Sequence, residues 1–451
     1  MKTPRRKLIG ITVCRAVALL FLVTNFCFAA SSAPKAGVFP GINAPLPDQP
    51  AKFDYKGDIV IGDATDLTGP AAKSCSEMSE GVADWLRYQN EYLGGVRGYK
   101  VSSEIVDTKF DSQNTINTFN RFIDEGKPII YSGHGYCIPA TTEVANRRHV
   151  PTLGSSGSVA QSIFPPEKEK EKNYFFQMSP VVASRMAILV KFCMDDWKKK
   201  GKKGKPKFGG FNCDSSNGHE AATAIKIYAK KLGGEFTINT FHARSITDAK
   251  AQVTALKRAK VDYILNGPDY DQPLTVFALE LARQKSKKWD PTFAGHTCWG
   301  TAYIETGNKA FEGHFSYQYC LSWDDVDQPV IALLHKLNKM WHPKVKKRPF
   351  LYQTGFQAGM VICEALGKAI DKWGDPKNID GEKMRDAVES IQNFDPLGIS
   401  GTITYNNWDH QGVKSLRIAI CKDGKLEGVG GFVPAQALEP NERQGKYWLT
   451  E

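Results

Sequence analysis

Five polar clusters in this chain combine residue types that can hold a small solute. In Gly154-Ser155-Ser156-Gly157-Ser158, small residues let backbone N–H groups and hydroxyls converge on an anion such as a carboxylate. Ser156 or Ser158 can also cap a following helix, and the two roles are compatible. Asn212-Cys213-Asp214-Ser215-Ser216-Asn217-Gly218-His219 offers amide and hydroxyl groups, with Ser216 and Asn217 the ligand candidates and Asp214 a turn acid. In Gly267-Pro268-Asp269-Tyr270-Asp271-Gln272, Asp269 can hold an ammonium group through a charge-assisted hydrogen bond, while Asp271 reads as a helix cap. Gly133-His134-Gly135-Tyr136-Cys137-Ile138-Pro139 presents the ring and hydroxyl of Tyr136, as a ligand contact or as part of a plain turn. His296-Thr297-Cys298-Trp299-Gly300 adds a large apolar ring at Trp299.

Bond-making chemistry finds no matching pattern. His219-Glu220 starts like a zinc-protease helix, but Thr223 stands where the second histidine is required. Gly154-Ser155-Ser156-Gly157-Ser158 differs from a nucleophile elbow, because Ser158 replaces the closing glycine. No Gly-Lys-Ser/Thr run is present for a phosphate loop, and the nine histidines lack ligand spacing. Of ten cysteines, Cys14 and Cys27 lie in the first thirty residues, and none of the eight others forms a C-x-x-C pair. The expectation is a binding protein with no catalytic residue, metal or cofactor.

Each cluster follows a stretch that reads as a β-strand. Strands are expected at Asp58–Ala64, Lys100–Val106, Pro128–Ser132 and Val150–Leu153, with helices at Ser79–Tyr92, Gln113–Glu125 and Thr141–Arg148 between them. A second series runs from a helix through Met186, Leu189, Val190 and Phe192 to Trp197. It continues with strands Lys207–Phe211, Glu235–Phe241, Val261–Asn266 and Thr292–Gly295, separated by helices His219–Leu232, Ala249–Ala259 and Gln272–Lys285. Alternation of this kind implies α/β architecture with parallel sheets, and two series imply two lobes, whose ligands bind at the carboxyl ends of the strands. Helices are expected at Asp327–Trp341, Tyr352–Trp373 and Gly381–Gln392, then a hairpin of Thr402–Tyr405 and Lys414–Cys421.

The first residues carry Lys2, Arg5, Arg6 and Lys7, then an apolar run from Ala16 to Val23 and the small-x-small triplet Cys27-Phe28-Ala29. That is the anatomy of a cleaved secretory signal ending at about Ala29 or Ala30. The formal charge of +11 falls to +6 without the signal's five basic residues, those four and Arg15, and to −1 without the seven lysines from Lys198 to Lys207 as well. The basic balance is therefore local and does not describe a nucleic-acid surface.

The stretches Asp66-Leu67-Thr68-Gly69-Pro70, Asn90-Glu91-Tyr92-Leu93-Gly94-Gly95-Val96-Arg97-Gly98, Val106-Asp107-Thr108, Val150 to Ser158 and Gly398-Ile399-Ser400-Gly401-Thr402 occur in this order over 57–432. In these the chain resembles the type I periplasmic binding proteins of the leucine/isoleucine/valine-binding family, the substrate-binding subunits of ABC importers. The resemblance implies two Rossmann-like parallel-sheet lobes joined by a three-crossover hinge. It divides the chain into a signal peptide (1–30), a linker (31–56), lobe 1 (57–178 plus 322–397), lobe 2 (179–321 plus 398–432) and a tail (433–451). It implies a monomer in the periplasm that captures a small carboxylated molecule, an amino acid or an aromatic acid, and delivers it to a membrane permease. Amide or urea-type solutes, and a sensory role, are the alternatives.

The family's contacts map onto Tyr136 or Cys137, onto Ser156, Gly157 and Ser158 for the ligand carboxylate, and onto Asp269 or Tyr270 for an aromatic contact. The aromatic residue common near Asn217 in amino-acid binders is absent. Where branched-chain amino-acid binders carry an acid, this chain has His296 to Gly300. That weakens an α-amino acid as the ligand, and Trp299 favours an aromatic or apolar one. The family's usual disulfide lacks its cysteine near Phe110, which leaves Cys75 with Cys137 and Cys298 with Cys320 as alternative pairs.

Overall fold

A computed structural model describes residues 37–133, 138–155, 163, 172–269, 271–296 and 309–435. Tyr136, Cys137, Ser156, Gly157, Ser158, Tyr270 and Trp299 lie outside the described residues, as do the signal segment and the tail beyond 435.

The first sheet is wholly parallel. Its strands are β1 (Asp58–Thr65), β2 (Lys100–Asp107), β3 (Ile130–Ser132), β4 (Thr152–Gly154) and β5 (Phe175–Gln177), in the order β2-β1-β3-β4-β5. Ile59 and Ile61 are buried on one face of β1, as the period of two requires. Helices α1 (Ala72–Leu93), α2 (Ser112–Asp124) and α3 (Ile138–Arg148) connect these strands. Helix α1 starts seven residues before the expected Ser79, because Asp66 at the end of β1 organises the turn into it. It ends where the glycines demand. Gly94 takes the left-handed conformation (φ 75°) and its N–H bonds to Gln89 O. Helix α2 is capped by Asp111, which accepts from Asn114 N at 2.8 Å.

The second sheet has eight strands. Helix α4 (Val182–Lys199) leads into β6 (Lys207–Cys213), α5 (Ser216–Lys231), β7 (Glu235–His242), α6 (Lys250–Arg258), β8 (Tyr263–Leu265), α7 (Asp271–Gln284), β9 (Thr292–Gly295) and β10 (Phe315–Gln318). Helices α8 (Pro329–Trp341), α9 (Phe350–Trp373) and α10 (Gly381–Glu389) follow, then β11 (Ser415–Lys422), β12 (Lys425–Gly428) and β13 (Val433–Pro434). The order is β12-β11-β10-β9-β8-β6-β7, parallel from β10 to β7 and antiparallel at β11 with β10, β12 and β13. The architecture is the doubly lobed α/β class expected.

The C-terminal hairpin is not the expected one. It turns at Asp423-Gly424 between β11 and β12, while Ile403 makes only single bridges, to Phe394 and Val413. Ile403 is instead buried where the chain passes between the sheets. No helix among the described residues is long and apolar enough to cross a membrane.

Helix α9 lies against α1 at backbone contact distance. A Cβ on Gly355 would sit 1.9 Å from Met78 O, one on Gly81 2.2 Å from Tyr352 O, and one on Gly359 2.7 Å from the Trp85 Cβ. The chain passes between the sheet units after β5, after β10 and before β11, and these passages are bonded together. Gly412 N donates to Gln177 O and Gln177 N to His410 O, both at 2.8 Å. Leu321 N donates to Ile399 O at 2.7 Å. Gln357 Nε2 donates to Ser400 Oγ at 2.6 Å, and Cys320 Sγ donates to Gln357 Oε1 at 2.8 Å. Cys320 is thus a free thiol, which removes its expected pairing with Cys298.

Candidate functional site

Loops at the carboxyl ends of the parallel strands carry the candidate polar groups on each sheet. On the first sheet, β1 ends in a loop held by two carboxylates. Asp66 accepts from Gly69 N at 2.6 Å and from Ala71 N at 2.8 Å. Asp107, at the end of β2, accepts from Leu67 N at 2.9 Å and from Thr68 Oγ1 at 2.6 Å. Gly69 is required here, since a Cβ would meet Asp66 Oδ1 at 2.6 Å and Lys109 O at 2.7 Å. Desolvation pushes the Asp107 carboxyl up, but hydrogen bonds from Thr68, Leu67 and Lys109 outweigh it and hold it below its ordinary range.

Two further groups stand behind this rim. Asp63 shares the buried face of β1 with Ile59 and Ile61 and faces the Ser79 hydroxyl of α1. Burial pushes its carboxyl up to about 7, against the pull of Ser79. Tyr131 on β3 hydrogen-bonds through its hydroxyl to Ser155, the residue immediately before Ser156. The start of the serine-glycine loop is therefore anchored from inside the sheet.

On the second sheet, Ser216 is exposed and Asn217 half-buried in the first turn of α5, which Ser215 caps by accepting from Gly218 N at 3.3 Å. Asp214 pairs with His219 at 2.8 Å, as a turn acid would. Asp269 is buried just after β8, but its carboxylate is already engaged. It accepts from His242 Nε2 at 2.8 Å and from Asn266 Nδ2 at 2.9 Å.

His242 closes β7, in register with Cys213 at the end of β6. Cys213, His242 and Asp269 bring thiol, imidazole and carboxylate atoms within 4.8 Å of one another, a donor set a metal could use. The ring's bonding argues against that use. Its Nδ1 meets Ala243 O at 2.7 Å and its Nε2 meets a carboxylate, so both nitrogens donate and no lone pair is left for a metal. Desolvation pulls the imidazole pKa down, but the Asp269 bond and charge overcome it and hold it above its ordinary value. The pair is a buried ion pair.

Arg185 lies beside the first passage between the sheets, in the first turn of α4, and is fully buried. Its Nε donates to Pro180 O at 2.6 Å and its Nη2 to Ser179 Oγ at 2.5 Å, while Nη1 has no hydrogen-bond partner among the described residues. The rings of Tyr317 and Tyr319 flank the guanidinium at 5.9 and 5.4 Å. His296, at the end of β9, packs edge-on against Tyr317 with ring centroids 5.7 Å apart. Burial first, and the nearby Arg185 second, hold its pKa down to about 3, so it is neutral and does not offset the arginine.

The structure thus brings Asp269, Ser216 and Asn217 to the rim of the second sheet, and places Asp269 as the partner of His242. Arg185, His242 and Asp63 were missed by sequence reasoning. Two of them carry a readable signal. Arg185 falls at i, i+4, i+7 with Leu189 and Phe192 on a helix face that is otherwise apolar, and Asp63 falls in step with Ile59 and Ile61.

A family model described as periplasmic binding protein matches residues 58–425. No curated protein sequence matches the chain. Among solved structures, a branched-chain amino acid ABC transporter protein from Thermus thermophilus with bound valine superposes with a TM-score of 0.72 at 19% identity, covering 85% of this chain and 98% of that one. A fatty acid ABC transporter substrate-binding protein from Thermomonospora curvata gives a TM-score of 0.72 at 20% identity, covering 84% and 93%. A leucine binding protein from Thermotoga maritima gives 0.67 at 18% identity, covering 82% and 98%. The chain belongs to the periplasmic binding protein family and has the type I fold.

Proposed function

We propose that this protein is the extracytoplasmic solute-binding subunit of an ABC importer, exported through a cleaved N-terminal signal. It captures a small carboxylated molecule between two lobes and hands it to a membrane permease, as a monomer and without chemistry of its own. The lobes are 57–178 plus 322–397 and 179–321 plus 398–432. The observation that carries this reading is a pair of parallel-stranded sheets joined by three chain passages that are hydrogen-bonded together. Strand ends are where open α/β sheets hold ligands, and passages of this kind let two rigid units close on a solute.

Tyr136, Cys137, Ser156, Gly157 and Ser158 line the cleft from the first lobe, and Ser216, Asn217, Tyr270 and Trp299 from the second. Asp269 supports the second rim through its bond to His242. The ligand carboxylate sits on the loop from Ser156 to Ser158, whose start Tyr131 fixes through Ser155. Replacing both Ser156 and Ser158 by alanine is expected to weaken binding by about 3 kcal/mol, roughly a hundredfold in Kd, because hydrogen bonds to a charged group are lost. Titration calorimetry showing unchanged affinity would remove the carboxylate from that loop.

A thermal-shift screen against amino acids, aromatic acids, dicarboxylates and amides tests the reading as a whole. A true ligand stabilises by mass action, about 2.7 kcal/mol at a hundredfold excess over Kd. No shift with any class would contradict solute binding.

A further inference from the structure

We propose that Arg185 is the second lobe's anchor for an anionic group of the ligand, so that the preferred solute is an organic acid without an α-ammonium group. This rests on the solute-binding reading above and specifies the solute.

The first argument is the state of the cation. Arg185 is fully buried, yet among the described residues its Nη1 has no hydrogen-bond partner, and its other two bonds go to the neutral groups Pro180 O and Ser179 Oγ. A guanidinium is charged at any working pH. Burying one without a counter-ion is strongly unfavourable, and proteins retain such a group where an anion completes it. His296, close enough to feel the Arg185 charge, is held neutral and supplies no negative charge.

The second argument is the state of the acid. An α-amino acid brings an ammonium group that needs an anionic or strongly accepting partner. Asp269, a buried acid at this rim, already receives His242 Nε2 and Asn266 Nδ2 on one oxygen, and the exposed Asp214 is paired with His219. Its charge is matched by the imidazolium. An ammonium would have to displace that ion pair, and would lie beside an uncompensated guanidinium. Both effects act against a zwitterion and for a carboxylate.

The location is the third. Arg185 follows the first passage between the sheets, Tyr319 follows β10 at the second, and Tyr319 lies within electrostatic reach of Tyr131 on the first sheet. The cation therefore stands beside the first two passages between the sheets. A planar guanidinium fork can hold a carboxylate through the unpaired, buried Nη1.

The test is calorimetry on protein purified from the periplasm of an expressing cell, using pairs that differ only in the ammonium group: leucine with 4-methylpentanoate, phenylalanine with 3-phenylpropanoate, glutamate with glutarate. The acid of at least one pair is expected to bind about tenfold or more tightly than its amino acid. Arg185→Gln is expected to cut that affinity by about a hundredfold, and Arg185→Lys by less, since a lysine keeps the charge without the fork. An amino acid that binds as tightly as its partner acid overturns the inference and leaves the solute-binding reading intact. Unchanged affinity in Arg185→Gln does the same. If that variant fails to fold, the pairs on the unaltered protein decide. Silence across every pair and across the wider screen removes both readings.

Discussion

Gly355→Ala lowers the stability of this protein by about 2 to 3 kcal/mol, whereas Gly367→Ala, twelve residues along the same helix, leaves it unchanged or raises it by up to about 1 kcal/mol. Both substitutions gain the same helix propensity. They differ in what the new methyl group meets. At Gly355 it would lie 1.9 Å from Met78 O and 2.7 Å from Met78 C, which are backbone atoms and cannot rotate away. At Gly367 it would lie 3.5 Å from the Arg97 guanidinium, an ordinary contact with a flexible side chain. Overpacking must therefore push α9 off α1 in the first case, and outweighs the propensity gain. The consequence reaches the cleft, because α9 carries Gln357, which ties Cys320 to Ser400, and α1 carries Ser79, which faces Asp63. Equilibrium urea unfolding of the two variants checks this. Equal effects from both would mean that the helices are not in backbone contact.

Asp63→Asn is expected to stabilise the protein above neutral pH and to have little effect near pH 4. The folded-state carboxyl is pushed up to about 7 by burial, from an ordinary value of 3.8. A group whose folded pKa is raised holds its proton more tightly in the folded state. Its contribution is complete below about pH 4 and is lost as pH rises through 7, where the buried carboxylate must ionise. The loss is on the order of 4 kcal/mol at pH 8, taking 1.36 kcal/mol per unit. Asparagine keeps the shape and cannot ionise, so the slope of stability between pH 4 and 8 should flatten in the variant relative to the parent. Parallel pH profiles for the two proteins would show that Asp63 is not buried as described.

Much of the fold is legible in the sequence because its signals are local. The period-two run of β1, the Gly94-Gly95 break after α1 and the alternation of strand and helix all lie within a few residues of what they specify. The short buried strands β5 and β10 are different. Phe175–Gln177 is too short to show a period, Phe315–Gln318 is only four residues long and buried on both faces despite its alternation, and both read as parts of crossovers. The hairpin differs from the sequence expectation because Thr402 to Tyr405 is β-prone by composition, while the pairing of β11 with β12 depends on the turn at Asp423-Gly424.

The same contrast holds at the site. Asp269 is visible as an acid after a strand. Its partner His242 ends a strand twenty-seven residues earlier, and only the parallel sheet brings the two together. Charge state at a cleft is a property of such long-range pairs. The sequence reading therefore left open whether Asp269 holds an ammonium group, whereas the structure shows that acid already matched and Arg185 unmatched.

The central claim is that two lobes close on an acid solute. Small-angle X-ray scattering of the protein, with and without the acid that gives the largest thermal shift, tests it most directly. Capture between lobes predicts a smaller radius of gyration and a narrower distance distribution in the bound state than in the solute-free state. A ligand that raises the unfolding temperature while leaving the scattering curve unchanged would contradict closure, and would place binding outside the cleft.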